Sequence, residues 1–299
     1  MDLHKILTES RNPNTLNIDT ISTENILEKI NGEDQTVAYA VEKTIPVVSL
    51  VVDSIVAGLE NGGRLLYVGA GTSGRLGILD ASECPPTFST DPGQVIGIIA
   101  GGERAIQFPL EGAEDDEEGG RNEIASHEVG VNDVVVGIAA SGRTPYTIGA
   151  LKEAKSRGAV TASVVCSPKS PMCEVADHSI VAEVGPEVVT GSTRMKAGTA
   201  QKLILNMLTT AAMIKLGKVY SNLMVDVMPS NAKLKVRARN IIMEAADVTE
   251  QEATEALETY GSVKPAILSL LTGLEEKEVY NLLTLHKGHL RSAIKAAIK

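Results

Sequence analysis

Tryptophan is absent from the chain, phenylalanine occurs only twice, and aromatic residues make up 3% of the sequence. Surfaces that bind single-stranded nucleic acid stack bases on aromatic rings, so this scarcity argues against such a role and leaves the core to aliphatic side chains. Positive charge is also short: 28 Lys and Arg stand against 38 Asp and Glu, a net charge of −10. A chain of that sign does not draw nucleic acid or an anionic membrane through its overall field. Cysteine is scarce too. Cys84, Cys166 and Cys173 are odd in number and lack metal-ligand spacing, and the last two lie too far apart for a CxxC redox motif. No apolar run reaches the ~20 residues of a spanning helix, and Met1-Asp2-Leu3-His4-Lys5 lacks the layout of a signal peptide. These absences predict a soluble protein of the reducing cytoplasm with no metal, no nucleic-acid partner and no membrane partner.

What is present is a pair of glycine- and hydroxyl-rich loops, each directly after an apolar run. Leu65-Leu66-Tyr67-Val68 leads into Gly69-Ala70-Gly71-Thr72-Ser73-Gly74-Arg75, and Val134-Val135-Val136-Gly137-Ile138-Ala139 leads into Ala140-Ser141-Gly142-Arg143-Thr144. Glycine allows close approach of backbone to a ligand, and the start of the following helix offers unpaired N–H groups and a positive dipole end. Ser73, Ser141 and Thr144 add neutral donors, with Thr72 in support. An acidic protein needs such local capture to hold an anion, and two such loops in one sheet suit a phosphorylated metabolite. The first loop also matches the Gly-x-Gly-x-x-Gly dinucleotide fingerprint, which expects an acidic residue at the end of the second strand. Asp91 has roughly that spacing but lies in the turn Ser89-Thr90-Asp91-Pro92-Gly93, before the next strand. A tight turn without a ligand accounts for either loop alone more readily than for both.

Along the chain, a polar segment to about residue 17 reads as an arm. Helical periodicity follows over 22–30 and 33–59, with Gly32 as the C-cap between them and Pro46 as a kink or break. Strands are predicted near 64–69, 95–100, 133–139, 160–165 and 179–182. Helices are predicted near 73–82 (ended by Pro85-Pro86), 110–126, 145–156 and 192–216. Apolar strands alternating with helices indicate an α/β fold with a parallel sheet covered on both faces. Beyond residue 230 the pattern changes to short amphipathic helices, with Thr249-Glu250-Gln251-Glu252 as a capping box and Gly261 and Gly273 as stops. The expected division is 1–230 for the α/β domain with its N-terminal helices and 231–299 for a helical C-terminal appendage.

The doubled loop resembles the sugar isomerase (SIS) domain, a flavodoxin-like three-layer sandwich that binds phosphosugars. Three stretches are similar to the bacterial N-acetylmuramic acid 6-phosphate etherases. They are Gly69–Arg75 running on to Asp80-Ala81-Ser82-Glu83-Cys84-Pro85-Pro86-Thr87, then Glu111-Gly112-Ala113-Glu114-Asp115, then Gly185-Pro186-Glu187-Val188-Val189-Thr190-Gly191-Ser192-Thr193-Arg194-Met195-Lys196. The last also resembles a signature of the animal glucokinase regulatory protein. The likeness extends over nearly the whole chain. It implies cleavage of a D-lactyl ether in peptidoglycan amino sugar recycling by a homodimer without metal or nucleotide, with Glu83 and Glu114 as the catalytic carboxylates.

Read as residues alone, Glu83 is a helix-terminal surface glutamate or an acid whose weakly polar neighbours raise its pKa. Glu114 opens the run Glu114-Asp115-Asp116-Glu117-Glu118, where carboxylates are favoured by a helix N-terminus. The family pattern singles out Glu114 as the base and gives Glu83 the acid role. It also carries Ser73, Ser141 and Thr144 to the phosphate. Glu187, Ser192 and Lys196 are candidates for sugar contacts, or equally for supporting or dimer contacts. Arg75 and Arg143 balance charge or pair elsewhere. A sugar-phosphate-responsive regulator and an aldose–ketose phosphate isomerase are the competing functions. The animal regulator is much longer, and the isomerase reading lacks motif support around Glu83.

Overall fold

The aliphatic runs become strands β1 (Leu65–Gly69), β2 (Val95–Ile99), β3 (Val134–Ile138), β4 (Val160–Val165) and β5 (His178–Val181). All neighbouring pairs are parallel, in the order β2-β1-β3-β4-β5. The coordinates are a computed structural model describing residues 7–227 and 232–298. β1 and β3 are buried along their whole length, as strands covered on both faces must be.

Before the sheet come α1 (Thr23–Asp34), α2 (Val37–Glu42) and α3 (Ile45–Glu60). Gly32 is not the C-cap: α1 runs through it and Gln35 caps the end. The expected 33–59 helix is instead split, and Pro46 sits in the first turn of α3, where its missing N–H is not needed. α4 (Gly71–Phe88) also differs from expectation by continuing through Pro85 and Pro86. Cys84 and Phe88, one turn apart, are both buried, and the Ser89 N–H still closes on the Pro85 carbonyl at 2.9 Å. Proline's fixed φ is helical, so anchoring this turn offsets the lost donors.

The acidic segment is divided more finely than its sequence predicts. After α5 (Arg104–Gln107), Gly112 at φ +79° starts a 3-10 turn over Ala113–Asp115, and α6 (Glu117–Ser126) begins only after Asp116. The Gly119 N–H donates to Asp116 Oδ1 at 2.8 Å, so Asp116 is the cap and Glu114 stays outside the helix. α7 (Pro145–Ser156) has the expected bounds. The remaining helices are α8 (Pro171–Val175), α9 (Lys196–Lys215), α10 (Ala232–Ala246), α11 (Glu250–Tyr260), α12 (Val263–Thr272), α13 (Glu276–Leu285) and α14 (Leu290–Ala297). A short antiparallel hairpin, β6 (Val219–Tyr220) with β7 (Leu223–Met224), was not legible in the sequence. The Thr249–Glu252 capping box and the left-handed caps at Gly261 and Gly273 are as expected.

The chain forms two compact units. One gathers the described residues up to Ser82 with Gly93–Thr209, and the other joins Glu83–Pro92 to the residues from Thr210 onward. The division expected after residue 230 adjoins residues 228–231, outside the described ones, and the second unit takes in more chain than that expectation gave it. In the first unit α7 packs on β1, β3 and β4, while α3 packs on β1, β3 and β5. Leu66, Val68 and Val135 meet Tyr146, Ala150 and Leu151 of α7 in one apolar cluster. The second unit has its own core, with Ile242, Ala253, Val263, Ile267, Val279 and Leu290.

One buried charge ties β1 to β3. Asp133 accepts from the Arg64 backbone N–H at 2.8 Å, from its guanidinium at 2.8 and 3.2 Å, and from the Gly130 N–H at 3.0 Å. Burial alone would push the Asp133 carboxyl up, but these donors hold it below its ordinary value. A depressed carboxylate stabilises the fold above its unfolded pKa of about 3.9, and that contribution is lost as pH falls through the folded value. Asp133→Asn should therefore cost about 1–3 kcal/mol at neutral pH. The deficit should shrink on acidification below about pH 4, as thermal melts across that range would record. A deficit independent of pH would assign Asp133 a packing role only.

Candidate active site

Register brings the two loops together. Gly69 at the end of β1 lies beside Ile138 at the end of β3, so both loops leave the same carboxyl edge as neighbours. The strand order reverses direction between β1 and β3, and that switch point is where open α/β sheets form a ligand crevice. Glycine is required at two places here. A Cβ on Gly74 would stand 2.8 Å from the Gly69 carbonyl oxygen, and Gly142 has φ +65° with Ser170 Oγ only 2.1 Å from its would-be Cβ. Either addition forces backbone or a buried side chain to shift.

In the first loop Ser73 is 8% exposed and donates to Gln201 Oε1 on α9 at 2.9 Å. Thr72 is half-buried, and a Cβ on Gly198 would lie 3.5 Å from its methyl, so the start of α9 backs this loop. Arg75 donates to the Ile106 and Ala105 carbonyls at 2.8 and 2.7 Å, which ties the loop to the chain after β2. In the second loop Ser141 Oγ accepts from the Arg143 N–H at 3.3 Å. The Arg143 guanidinium donates to the Ser141 carbonyl at 3.1 Å. Thr144 is the N-cap of α7, yet its hydroxyl makes no capping bond and Pro145 follows it. That hydroxyl is thus available to an anion at the positive end of α7, where Pro145 itself brings no N–H.

Glu114 and Glu111 share a cavity of about 180 Å³ with Gly71 and Arg75 of the first loop and with Ala100 and Leu110. A candidate base thereby stands on the same cavity as the first loop, both within one compact unit. The volume is below the ~300–1,000 Å³ usual for small-molecule pockets, so these walls alone do not enclose an amino-sugar phosphate. Glu83 belongs to the second unit and is exposed on α4. Its neighbours Ala81 and Cys84 are buried while Glu83 itself points outward, so they do not give it the apolar enclosure its sequence context implied.

The signature before α9 turns inward. Glu187 is fully buried and accepts from the Lys196 and Ala197 N–H groups, each at 2.9 Å, which caps α9. Burial pushes its carboxyl up against the opposing pull of those N–H bonds and of Lys196. Lys196 is 2% exposed and pairs with Glu33 of α1 at 2.5 Å. The arm closes over the same segment: Asn12 donates to the Pro186 carbonyl at 3.2 Å and Thr15 to the Val188 carbonyl at 2.9 Å. Of the alternatives open for Glu187 and Lys196, their contacts favour support. Ser192 is half-buried in the turn before α9. Cys166 is packed against this region and its thiol is pushed up to about 12 by burial, with Glu187 adding to the effect. Among the described residues no three His, Cys, Asp or Glu side chains form a metal-binding group, and no helix is long and apolar enough to cross a membrane.

Gln201 and the Asp80 network escaped sequence reasoning. Asp80 is buried and accepts from Asn206 at 2.7 Å and Tyr67 at 3.0 Å. Burial raises its carboxyl despite those donors. The available signal was faint, because Gln201 and Asn206 stand among other polar residues of α9 such as Thr199, Lys202 and Thr209.

A parallel sheet with hydroxyl-bearing loops at its switch point is the arrangement of a sugar isomerase domain. Family models agree: one described as the SIS domain matches residues 119–211, and one described as the glucokinase regulatory protein N-terminal SIS domain matches 47–155. The N-acetylmuramic acid 6-phosphate etherase of Photorhabdus laumondii is 54% identical over 297 residues, covering 99% of both chains. That of Rhizobium rhizogenes is 55% identical over 296 residues, covering 99% of this chain and 96% of the relative. The chain belongs to the N-acetylmuramic acid 6-phosphate etherase family. Among solved structures, a phosphoheptose isomerase from Neisseria gonorrhoeae aligns with a TM-score of 0.49 at 15% identity, over 64% of this chain and 98% of that one.

Proposed function

We propose that this protein releases D-lactate from N-acetylmuramic acid 6-phosphate, leaving N-acetylglucosamine 6-phosphate, with the phosphate held by the loops after β1 and β3. The observation that carries this reading is the cavity that Glu114 shares with the first loop, beside the second loop at the switch point. Family membership supplies the substrate class.

The chemistry follows from where the ether sits. Its oxygen is on C3, a poor leaving group as it stands. In the open-chain sugar the C1 aldehyde makes the C2 hydrogen acidic, and the C3 oxygen is β to that carbonyl. A base removes the C2 proton, the electron pair forms the C2–C3 double bond, and the C3–O bond breaks as an acid protonates the departing lactate oxygen. Water then adds at C3 and the C2 carbon is reprotonated, so the sequence is redox-neutral. Glu114, on the cavity it shares with Gly71 and Arg75, has the base role, and Glu83 has the acid role. One carboxylate takes the C2 proton while the other supplies a proton to the leaving oxygen. Ser192, and Glu187 and Lys196 through the start of α9, shape the wall beside Thr72.

The test is incubation with N-acetylmuramic acid 6-phosphate and measurement of D-lactate. Release with appearance of the sugar phosphate is expected. A folded sample that releases none would sink the proposal.

The working form is a homodimer. Leu27, Tyr39, Ile45 and Leu50 on the N-terminal helices are 49–70% exposed, more apolar surface than a solitary chain has use for. Sedimentation at micromolar concentration should give twice the chain mass of 31.5 kDa, and a monomer there would refute the dimer. Cys84, Cys166 and Cys173 form no disulfide, and the first two are buried, which supports a reducing cytoplasmic setting in the recycling of peptidoglycan amino sugars.

A further inference from the structure

Ser73 has a single hydroxyl hydrogen, and in this structure it is spent on Gln201. The acceptor is the amide oxygen of Gln201 at 2.9 Å. The other end of that amide, Nε2, is buried and has no partner among the described residues, with Gln201 itself 1% exposed. Both facts point the same way. A hydroxyl that donates into the protein cannot donate to a phosphate, and a buried N–H without an acceptor is a more costly orphan than a carbonyl oxygen.

From these contacts we infer that Gln201 is a positioning residue that switches Ser73 between donating to the protein and donating to the phosphosugar. The inference rests on the reading of the first loop as a phosphate seat. Turning the Gln201 amide by half a revolution about its last bond brings Nε2–H onto Ser73 Oγ. The amine end is then satisfied and the hydroxyl hydrogen is released toward the loop. A phosphate oxygen accepts it, giving a chain of donors from Gln201 to Ser73 to the anion, each polarising the next. The amide oxygen is left in the position the unpaired amine held, the cheaper of the two orphans. No proton is transferred, and only hydrogen-bond direction reverses. α9 is backed by the buried Glu187 cap at its start, so Gln201 is delivered to Ser73 from a fixed helix.

The experiment measures binding of N-acetylglucosamine 6-phosphate and of unphosphorylated N-acetylglucosamine to the full chain by calorimetry, together with turnover. Gln201→Glu keeps the shape but can only accept at neutral pH, and it adds a negative charge. It should weaken the phosphorylated sugar by two orders of magnitude or more, with little change for the unphosphorylated one. Gln201→Met fills the space and removes the orienting group, and about a three- to tenfold loss is expected, the scale of one hydrogen bond. KM should rise in Gln201→Met while kcat holds. In a Ser73→Ala background Gln201→Met should add less than about twofold, because partners in one network are not additive. Full additivity in that background would overturn the inference alone and reduce Gln201 to packing. Parent-like phosphosugar binding by Ser73→Ala would overturn both the inference and the phosphate seat beneath it.

Discussion

Glu114→Gln should lose lactate release and, with it, exchange of the substrate's C2 hydrogen with deuterated water. Glu83→Gln should lose lactate release by roughly 10²–10⁴-fold, the usual scale of general acid–base catalysis, yet keep the exchange. The difference arises because exchange needs only removal and return of the C2 proton, whereas cleavage also needs a proton on the departing oxygen. Glutamine preserves size and hydrogen bonding, so neither change should disturb the phosphate loops. Glu114 stands on an isolated 3-10 turn and Glu83 on an exposed face of α4, so neither substitution removes core packing. Binding of N-acetylglucosamine 6-phosphate is therefore expected to survive in both. The reverse exchange pattern would swap the two roles and keep the pair. Parent-rate lactate release by both variants would make these carboxylates surface charges and end the elimination mechanism as drawn.

The sheet was legible because its signals are local and repeated. β1, β2 and β3 are short apolar runs closed by glycine or a polar turn, and their length between such breakers favours strand over helix. Helix ends were less legible where a single residue carries two meanings. Pro85-Pro86 reads as a stop, yet burial of Cys84 and Phe88 carries α4 past it. Gly32 reads as a cap, yet its φ is ordinary and α1 runs through. In the acidic run, composition cannot distinguish Glu114 from Glu117. Only the cap made by Asp116 separates the turn from the helix.

For the candidate site, loop chemistry was visible but side-chain direction was not. Glu187 and Lys196 look alike from sequence as sugar contacts or as scaffolding, because the outcome depends on the start of α9 and on Glu33, more than 150 residues away in the chain. Gln201 was invisible for a related reason. An amide on a helix that also carries Thr199, Lys202 and Asn206 is not singled out until the loop it meets, 128 residues earlier, is brought beside it.

Loss of the loop hydroxyls should show as loss of phosphate affinity, and the three positions should differ in size. A hydrogen bond to a charged group is worth about 1.5–3 kcal/mol, or roughly 10- to 150-fold in binding for Ser73→Ala, Ser141→Ala and Thr144→Val. Ser73 and Gln201 must first reverse the hydrogen bond between them, which offsets part of the gain, so the loss at Ser73 should fall at the low end. Thr144 makes no capping bond and sits where the positive end of α7 faces the crevice, so Thr144→Val should fall at the high end. Ser141 receives the Arg143 N–H on its oxygen, which leaves its hydrogen free to donate and puts it between the two. Calorimetry with N-acetylglucosamine 6-phosphate should return that order, while the unphosphorylated sugar should bind all three variants as it binds the parent. Equal losses for both sugars would mean that the loops hold the ring and not the phosphate. Unchanged affinity in all three would remove the phosphate seat from the switch point altogether.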